Sequence, residues 1–261
     1  MPGLMRVTML GCGASVGVPT LGNNWGNCDP NEPRNRRRRA SILVENQGQS
    51  VLVDISPDIR AQLLDANVSK LDAILLTHSH ADHIHGIDDL RPLYWINRER
   101  INVHADADTL RVVMERFGYM FEKSEDSPPY FTPALQAREL GEGPLDLAGM
   151  TIAHYRQDHG VSGESLGFIF DGRFAYSTDV AVMQEADFAR LEGIDLWIVD
   201  CLRQEPSQAH ANFETTLSWI ERVRPKGAVF THMNASLDYQ TTLDNCPAGV
   251  EPGYDGLVIE I

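Results

Sequence analysis

The sequence predicts a layered α/β fold, and three observations predict it. Short apolar, β-branched runs alternate with amphipathic stretches along the whole length. Several of these runs, such as "AILL" at 73–76 and "LWIV" at 196–199, are apolar at every position, as strands covered on both faces must be. Run after run also ends in an acid or a histidine. In layered α/β folds the strand ends on one side of a sheet commonly share a crevice, so this repeated placement points to one site.

In chain order, "RVTMLG" (6–11), "ASILVE" (40–45), "SVLVDI" (50–55) and "LDAILLTH" (71–78) read as the early strands. "DTLRVVMERFGYMF" (108–121) has the apolar spacing of a helix. "MTIAHYRQ" (150–157), "SLGFIFD" (165–171) and "RFAYSTD" (173–179) read as a meander, with Asp171-Gly172 as the turn between the last two. "DLWIVD" (195–200) and "GAVFTH" (227–232) are further buried strands, separated by the amphipathic "FETTLSWIERVR" (213–224). Residues 19–39 and 122–133, rich in Gly, Asn, Ser and Pro, read as loops that border a site. With no repeat, low-complexity segment or linker, a single domain over 1–261 is expected.

Composition narrows the partners. The chain has 261 residues, 43% of them hydrophobic, and a formal charge of -15 from 37 acidic and 22 basic residues. A field of that sign repels nucleic acid and anionic lipid, so an anionic substrate needs local cationic help, which metal ions can give. The start, "MPGLMRVTMLGCGASVG", lacks the charged leader, apolar stretch and cleavage site of a secretory signal, and no run is long enough to span a bilayer. The four cysteines, Cys12, Cys28, Cys201 and Cys246, have neither zinc-finger nor disulfide-framework spacing. A soluble cytoplasmic protein with reduced thiols is expected, its oligomeric state left open.

The chemistry concentrates in "LLTHSHADHIHG" (75–86), which follows a buried-type strand with four histidines and an aspartate. Clustered imidazoles carry a desolvation cost unless something satisfies them, so packing does not explain the motif. His78 and His80 can converge on one ion while Asp82 and His83 reach a second. His159 and Asp179 are the best candidates to complete the first set, and His232 the second. A carboxylate can bridge two ions through its two oxygens, so Asp179 is the expected bridge. Asp54 would stand behind, fixing the tautomer of a ligand histidine. It could instead cap the helix-like "SPDIRAQLLD" (56–65), although Ser56 is the better cap. Taken singly, His159, Asp179 and His232 could each serve a structural role. His85 and His104 read as structural or surface residues, His154 as packing, and Asp200 has no assigned role. All-N/O ligation suits Zn²⁺, Mn²⁺ or Fe²⁺, with Mn²⁺ credible for the carboxylate-rich second site.

"THSHADH" with its preceding strand and Asp54, then His159, "STD" ending at Asp179 and "THM" containing His232, resembles the metallo-β-lactamase fold superfamily. That resemblance implies an αββα sandwich with a dinuclear metal site. "LGCGASVGVP" (10–19), "VDC" (199–201) with "HANFETTL" (210–217), and the final "GYDGLVIEI" resemble its PhnP-like branch, which includes a phosphodiesterase opening a phosphoribosyl 1,2-cyclic phosphate. By that resemblance His210 matches a histidine acting on the scissile phosphate; read alone, it would be a surface residue. The branch member carries an extra zinc on clustered cysteines, but the matching stretch here keeps only Cys28, so no structural zinc is expected.

The resulting expectation is a dinuclear hydrolase, with two divalent ions (Mn or Zn), acting on a small cyclic or nucleotide-like phosphodiester. Asp82 and His210 are its expected catalytic residues, Asp82 orienting the nucleophile as well as binding metal. The arginine run at 34–39 is read either as a solvated basic turn or as a phosphate clamp, in which case Arg36, Arg37, Arg38 and Arg39 bind substrate. The rival readings are an RNA-processing nuclease, a thioesterase or lactonase, and a metal-binding regulatory protein without turnover. Net charge disfavours a polynucleotide, and a thioesterase would leave His210 and the C-terminal segment unexplained.

Overall fold

The computed structural model describes residues 4–261. Two seven-stranded sheets form its centre. The first contains β1 (Met5–Gly11), β2 (Ser41–Asn46), β3 (Gln49–Val53), β4 (Ala73–Leu75), β5 (Ile101–Ala105) and β6 (Leu135–Glu139), neighbours in that order. The second contains β7 (Leu145–Leu147), β8 (Met150–Asp158), β9 (Glu164–Phe170), β10 (Phe174–Ser177), β11 (Leu196–Asp200), β12 (Gly227–Thr231) and β13 (Val250–Pro252). β14 (Val258–Glu260) returns to the first sheet and pairs antiparallel with β1.

Period-two alternation explains the layering. Ile42, Val44, Val51, Val53 and Leu75 turn inward to share one core with Phe168, Phe170, Tyr176 and Trp197 of the second sheet. Their neighbours Leu43, Leu52 and Ile74 turn outward, onto Leu63 of α1 (Ile59–Asp65), Ile84 of α2 (Ala81–Ile84), Leu93 of α3 (Arg91–Asn97) and Val113 of α4 (Ala107–Phe117). Beyond the second sheet, α6 (Phe213–Val223) lays Phe213, Trp219 and Ile220 on the core, with α5 (Glu185–Arg190) beside it and α7 (Tyr239–Asp244) against β13. This is an αββα sandwich. Each of these large apolar side chains contributes about 1.5–3 kcal/mol by leaving water.

Strand direction makes the site. β3, β4 and β5 run parallel, as do β10, β11, β12 and β13. β8 and β10 both pair antiparallel with β9, so they run in the same direction. Parallel strands end on the same edge, so the residues after β3, β4, β8, β10, β11 and β12 emerge together. The hairpin from β9 to β10 turns at Asp171 and Gly172, whose φ of 50° and 64° suit a type I′ turn. The sequence reading passed over the short strands β7, β13 and β14, and also β5 and β6, whose polar positions break the apolar run.

Candidate metal centre

Asp54 and His232 sit immediately past β3 and β12, and Asp179 two residues past the end of β10, with φ of 65°, 57° and 55°. Non-glycine residues hold that conformation at a cost on the order of 1–3 kcal/mol each, and only where the surroundings fix them. Here it turns each chain sharply out of its sheet and aims the side chain into the crevice.

Asp179 occupies the middle. Its Oδ1 stands 3.7 Å from His78 Nε2, 3.4 Å from His159 Nε2 and 3.6 Å from His232 Nε2, and its Oδ2 is 3.2 Å from His83 Nε2. Asp82 Oδ2 is 3.3 Å from both His83 Nε2 and His232 Nε2. Three overlapping groups of possible ligand atoms result, each gathered within 4.8 Å: His78, His80, His159 and Asp179; then Asp82, His83 and His232; and a third that joins Asp179 and His232 to His210. Asp179 also touches the second group, its Oδ2 lying beside His83 Nε2.

The groups behind these side chains fix their orientation. Asp54, fully buried, accepts from the Thr77 amide (2.8 Å) and hydroxyl (2.9 Å), and its Oδ2 lies 2.7 Å from His83 Nδ1. The carboxylate thus accepts a hydrogen bond from Nδ1–H and leaves Nε2 facing the crevice. It caps no helix; Ser56 instead accepts from the Asp58 amide ahead of α1. His159 Nδ1 donates to the Ala209 carbonyl at 2.6 Å. Thr178 Oγ1 donates to Asp179 Oδ2 at 2.7 Å. α2, which carries Asp82 and His83, is braced because the Ile55 amide donates to the His83 carbonyl and the Gly86 amide to the Ile55 carbonyl. A Cβ at Gly86 would lie 2.0 Å from the Ser56 carbonyl oxygen, so only glycine permits this docking.

The electrostatics separate the imidazoles. Burial drives His78, His80 and His159 below their ordinary values, so they are neutral with a lone pair to offer. Burial acts the same way on His83 and His232, but the carboxylates around them outweigh it. Asp179, Asp54 and Asp82 hold His83 well above the usual range, and Asp179 and Asp82 push His232 up to about 9. Burial would raise Asp179, yet His232, His83 and His78 together hold it well below the carboxylate range. The residues fit divalent cations on a simple test. Nε2 of His78 and of His83 are buried with no hydrogen-bond partner, the first a neutral acceptor and the second a nitrogen that offers a lone pair once a cation displaces its proton, and both face a shared carboxylate. Cations would satisfy both and take over from protons as partners of the carboxylates.

His210 stands beside the cage. Its Nδ1 lies 2.7 Å from Asp200 Oδ2, and its Nε2 points inward, 3.9 Å from Asp179 Oδ1. The ring stacks on His232 with centroids 4.7 Å apart and its side chain is 13% exposed toward the crevice. Asp200, fully buried at the end of β11, also accepts from the Val180 amide at 3.0 Å. Sequence reading left Asp200 unassigned, although it carried the same strand-exit signature as Asp54 and Asp179. The four arginines are not among the groups around Asp179. Arg37 is buried at 2% exposure and donates to the Leu237 carbonyl at 2.7 Å. Arg38 pairs with Asp65, Arg39 with Asp58, and Arg36 lies over the Trp25 ring. Of Arg36, Arg37, Arg38 and Arg39, read as either a phosphate clamp or a basic turn, Arg37 is turned into the protein, Arg38 and Arg39 pair with its own carboxylates, and Arg36 stays exposed. His104 is buried, His85 exposed, and His154 reaches the Gly141 carbonyl at 3.2 Å.

This fold, with histidine and carboxylate side chains gathered at one sheet edge, is of the metallo-β-lactamase type. Residues 49–233 match the model of the beta-lactamase superfamily domain, and the chain belongs to that superfamily. Within it the chain falls in the PhnP-like branch. A solved structure described as a new diphosphatase from the PhnP family superposes with a TM-score of 0.91 at 34% identity, covering 100% of this chain and 98% of that one. Among curated proteins, an octanoyltransferase of Porphyromonas gingivalis (strain ATCC BAA-308 / W83) is 33% identical over 97% of this chain and 51% of its own length. A ribonuclease Z of Bradyrhizobium diazoefficiens is 28% identical over 64% of this chain and 50% of its own. The chain thus spans about half the length of these curated relatives.

Proposed function

We propose that this hydrolase cleaves a phosphodiester or diphosphate bond in a small substrate, using two divalent cations, Mn²⁺ or Zn²⁺. The observation that carries the reading is His210: a histidine with Nδ1 fixed by Asp200 and Nε2 directed at the cage from its open side. Such a group serves a phosphoryl transfer, where charge grows on non-bridging oxygens and on the leaving oxygen. The resemblance to a PhnP-family diphosphatase over the full chain supports the same class.

His78, His80, His159 and Asp179 would hold one ion, and Asp82, His83 and His232 the other, with Asp179 shared. Bound there, the cations supply Lewis-acid neutralisation of phosphoryl charge and a water of lowered pKa. The chain's own residues do the rest. Asp54 and the Ala209 carbonyl keep His83 and His159 in the Nδ1–H tautomer. Asp82, whose Oδ2 lies 3.3 Å from Nε2 of both His83 and His232, would orient an attacking water as well as hold metal. His210 donates from Nε2 to a phosphoryl or leaving oxygen, and Asp200 stabilises the imidazolium when it is charged.

A small substrate is favoured over a polynucleotide, because Arg37 is buried against main-chain carbonyls, Arg38 and Arg39 are paired with Asp65 and Asp58, and the net charge is -15. Among the described residues no helix is long and apolar enough to cross a membrane. A screen of cyclic phosphodiesters, linear nucleotide phosphodiesters and diphosphates with the metal-loaded protein tests the proposal. Turnover confined to thioesters, lactones or transfer-RNA precursors would overturn it.

A further inference from the structure

The segment that follows His232 is tied down by the loop at 12–39, carbonyl by carbonyl. The Met233 carbonyl accepts from the Ala14 amide, Asn234 from Arg37, Ala235 from the Asn27 amide, and Leu237 from Arg37. Cys28 Sγ adds contacts of 3.6 Å and 3.5 Å to the Ala235 and Leu237 carbonyls. Asn35, fully buried, accepts from the Tyr239 amide at 2.7 Å and donates to Asp238 at 2.6 Å. Arg37 is the centre of this hub. Its two terminal nitrogens reach Asn234 O (3.2 Å) and Leu237 O (2.7 Å), and it lies 3.4 Å from Asn35 Oδ1 and 4.0 Å from Cys28 Sγ.

A charged group buried among main-chain carbonyls is an expensive choice for packing alone. The reward is geometric, since a planar guanidinium presents several donors in a fixed fork, which an ammonium cannot. What the fork grips is the turn beginning at His232, whose left-handed φ of 57° must be imposed from outside. We infer that Arg37 is a positioning residue for the metal centre: it holds 234–237 and thereby sets the approach of His232 to Asp82 and Asp179. The inference rests on the metal-centre reading, but not on which bond the protein cleaves.

Arg37→Met keeps the length and apolar bulk while removing the donors. Gly26→Ala loads the same turn from its other side, because a Cβ there would lie 2.6 Å from the Ala235 carbonyl oxygen at a residue with φ of 54°. The readout is Mn²⁺ or Zn²⁺ binding to each purified variant by titration against a chelator, with circular dichroism to establish folding. Misplacing a ligand through its supporting contacts typically weakens metal affinity about 10–100-fold. Both variants are expected to lose about that factor at one of the two ions and keep the other, with Arg37→Lys giving only partial recovery. Two ions bound with unchanged affinity in folded Arg37→Met would overturn the inference. If Arg37→Met does not fold, the same result in Gly26→Ala and Arg37→Lys overturns it. Wild-type protein that binds two ions but cleaves no phosphoryl ester would sink the proposed function and leave Arg37 in place.

Discussion

Replacing His210 with alanine separates chemistry from metal binding. The side chain lies outside the His78, His80, His159, Asp179 group and the Asp82, His83, His232 group, although it also gathers with Asp179 and His232, and its removal deletes neither the His83–Asp54 nor the His159–Ala209 contact. Its Nε2 stands about 4 Å from the centre of the cage, judged by the 3.9 Å to Asp179 Oδ1. At that distance a unit positive charge stabilises a unit negative one by about 4 kcal/mol at an effective dielectric constant of about 20. That corresponds to about three decades of rate, consistent with the 10²–10⁴-fold usually contributed by one positioned donor. kcat on bis(p-nitrophenyl) phosphate is therefore expected to fall about 10³-fold, with metal content and melting temperature close to wild type. Asp200→Asn should fall nearly as far, because an amide cannot stabilise the imidazolium and can favour the wrong tautomer. If His210→Ala turns over every phosphodiester and diphosphate at near wild-type rates, the reasoning from its position is refuted and His210 is a bystander.

Other expectations follow from the same geometry. Protein purified without chelator should bind about two transition-metal ions per chain by elemental analysis; saturation at one under excess Mn²⁺ and Zn²⁺ would contradict the two sets. Cys28→Ser should leave metal content unchanged and lower the melting temperature only slightly, since the thiol's contacts are weak sulfur–carbonyl ones at 3.5–3.6 Å. Asp255 gives a pH effect of definite sign. Burial raises its carboxyl to about 6, against an unfolded value near 3.9, so the folded state binds the proton more tightly. Its contribution to stability is full below about pH 4 and lost as pH rises through 6, at most about 3 kcal/mol, and urea melts of Asp255→Asn should lack that part of the decline.

Much of the metal centre was legible because metal ligands break the local rules that packing obeys. Four histidines and an aspartate after an all-apolar strand satisfy no core, and an acid or histidine at the end of run after run reports parallel strands sharing an edge. Asp200 carried that signal too, but its use depends on His210 lying beside it, ten residues on across a loop that sequence periodicity does not describe. The arginines show the opposite limit. As a string they read as one basic patch, yet on an extended segment neighbours point opposite ways, so Arg37 turns into the protein while Arg36 stays exposed. Arg38 and Arg39 then find Asp65 and Asp58, on and just before α1, long-range partners invisible in the run itself. Short edge strands such as β7 and β13 were passed over because three residues offer too little alternation to read.

Chelator treatment followed by stepwise metal return, read as phosphodiester and diphosphate hydrolysis, tests the central claim most directly. Activity should vanish with the ions, return only as the second equivalent of Mn²⁺ or Zn²⁺ binds, and stay absent in His80→Ala, which lacks a ligand of the first set. Hydrolysis that persists at full rate in chelated protein, or a fully reloaded protein inert toward every phosphoryl ester, would contradict it.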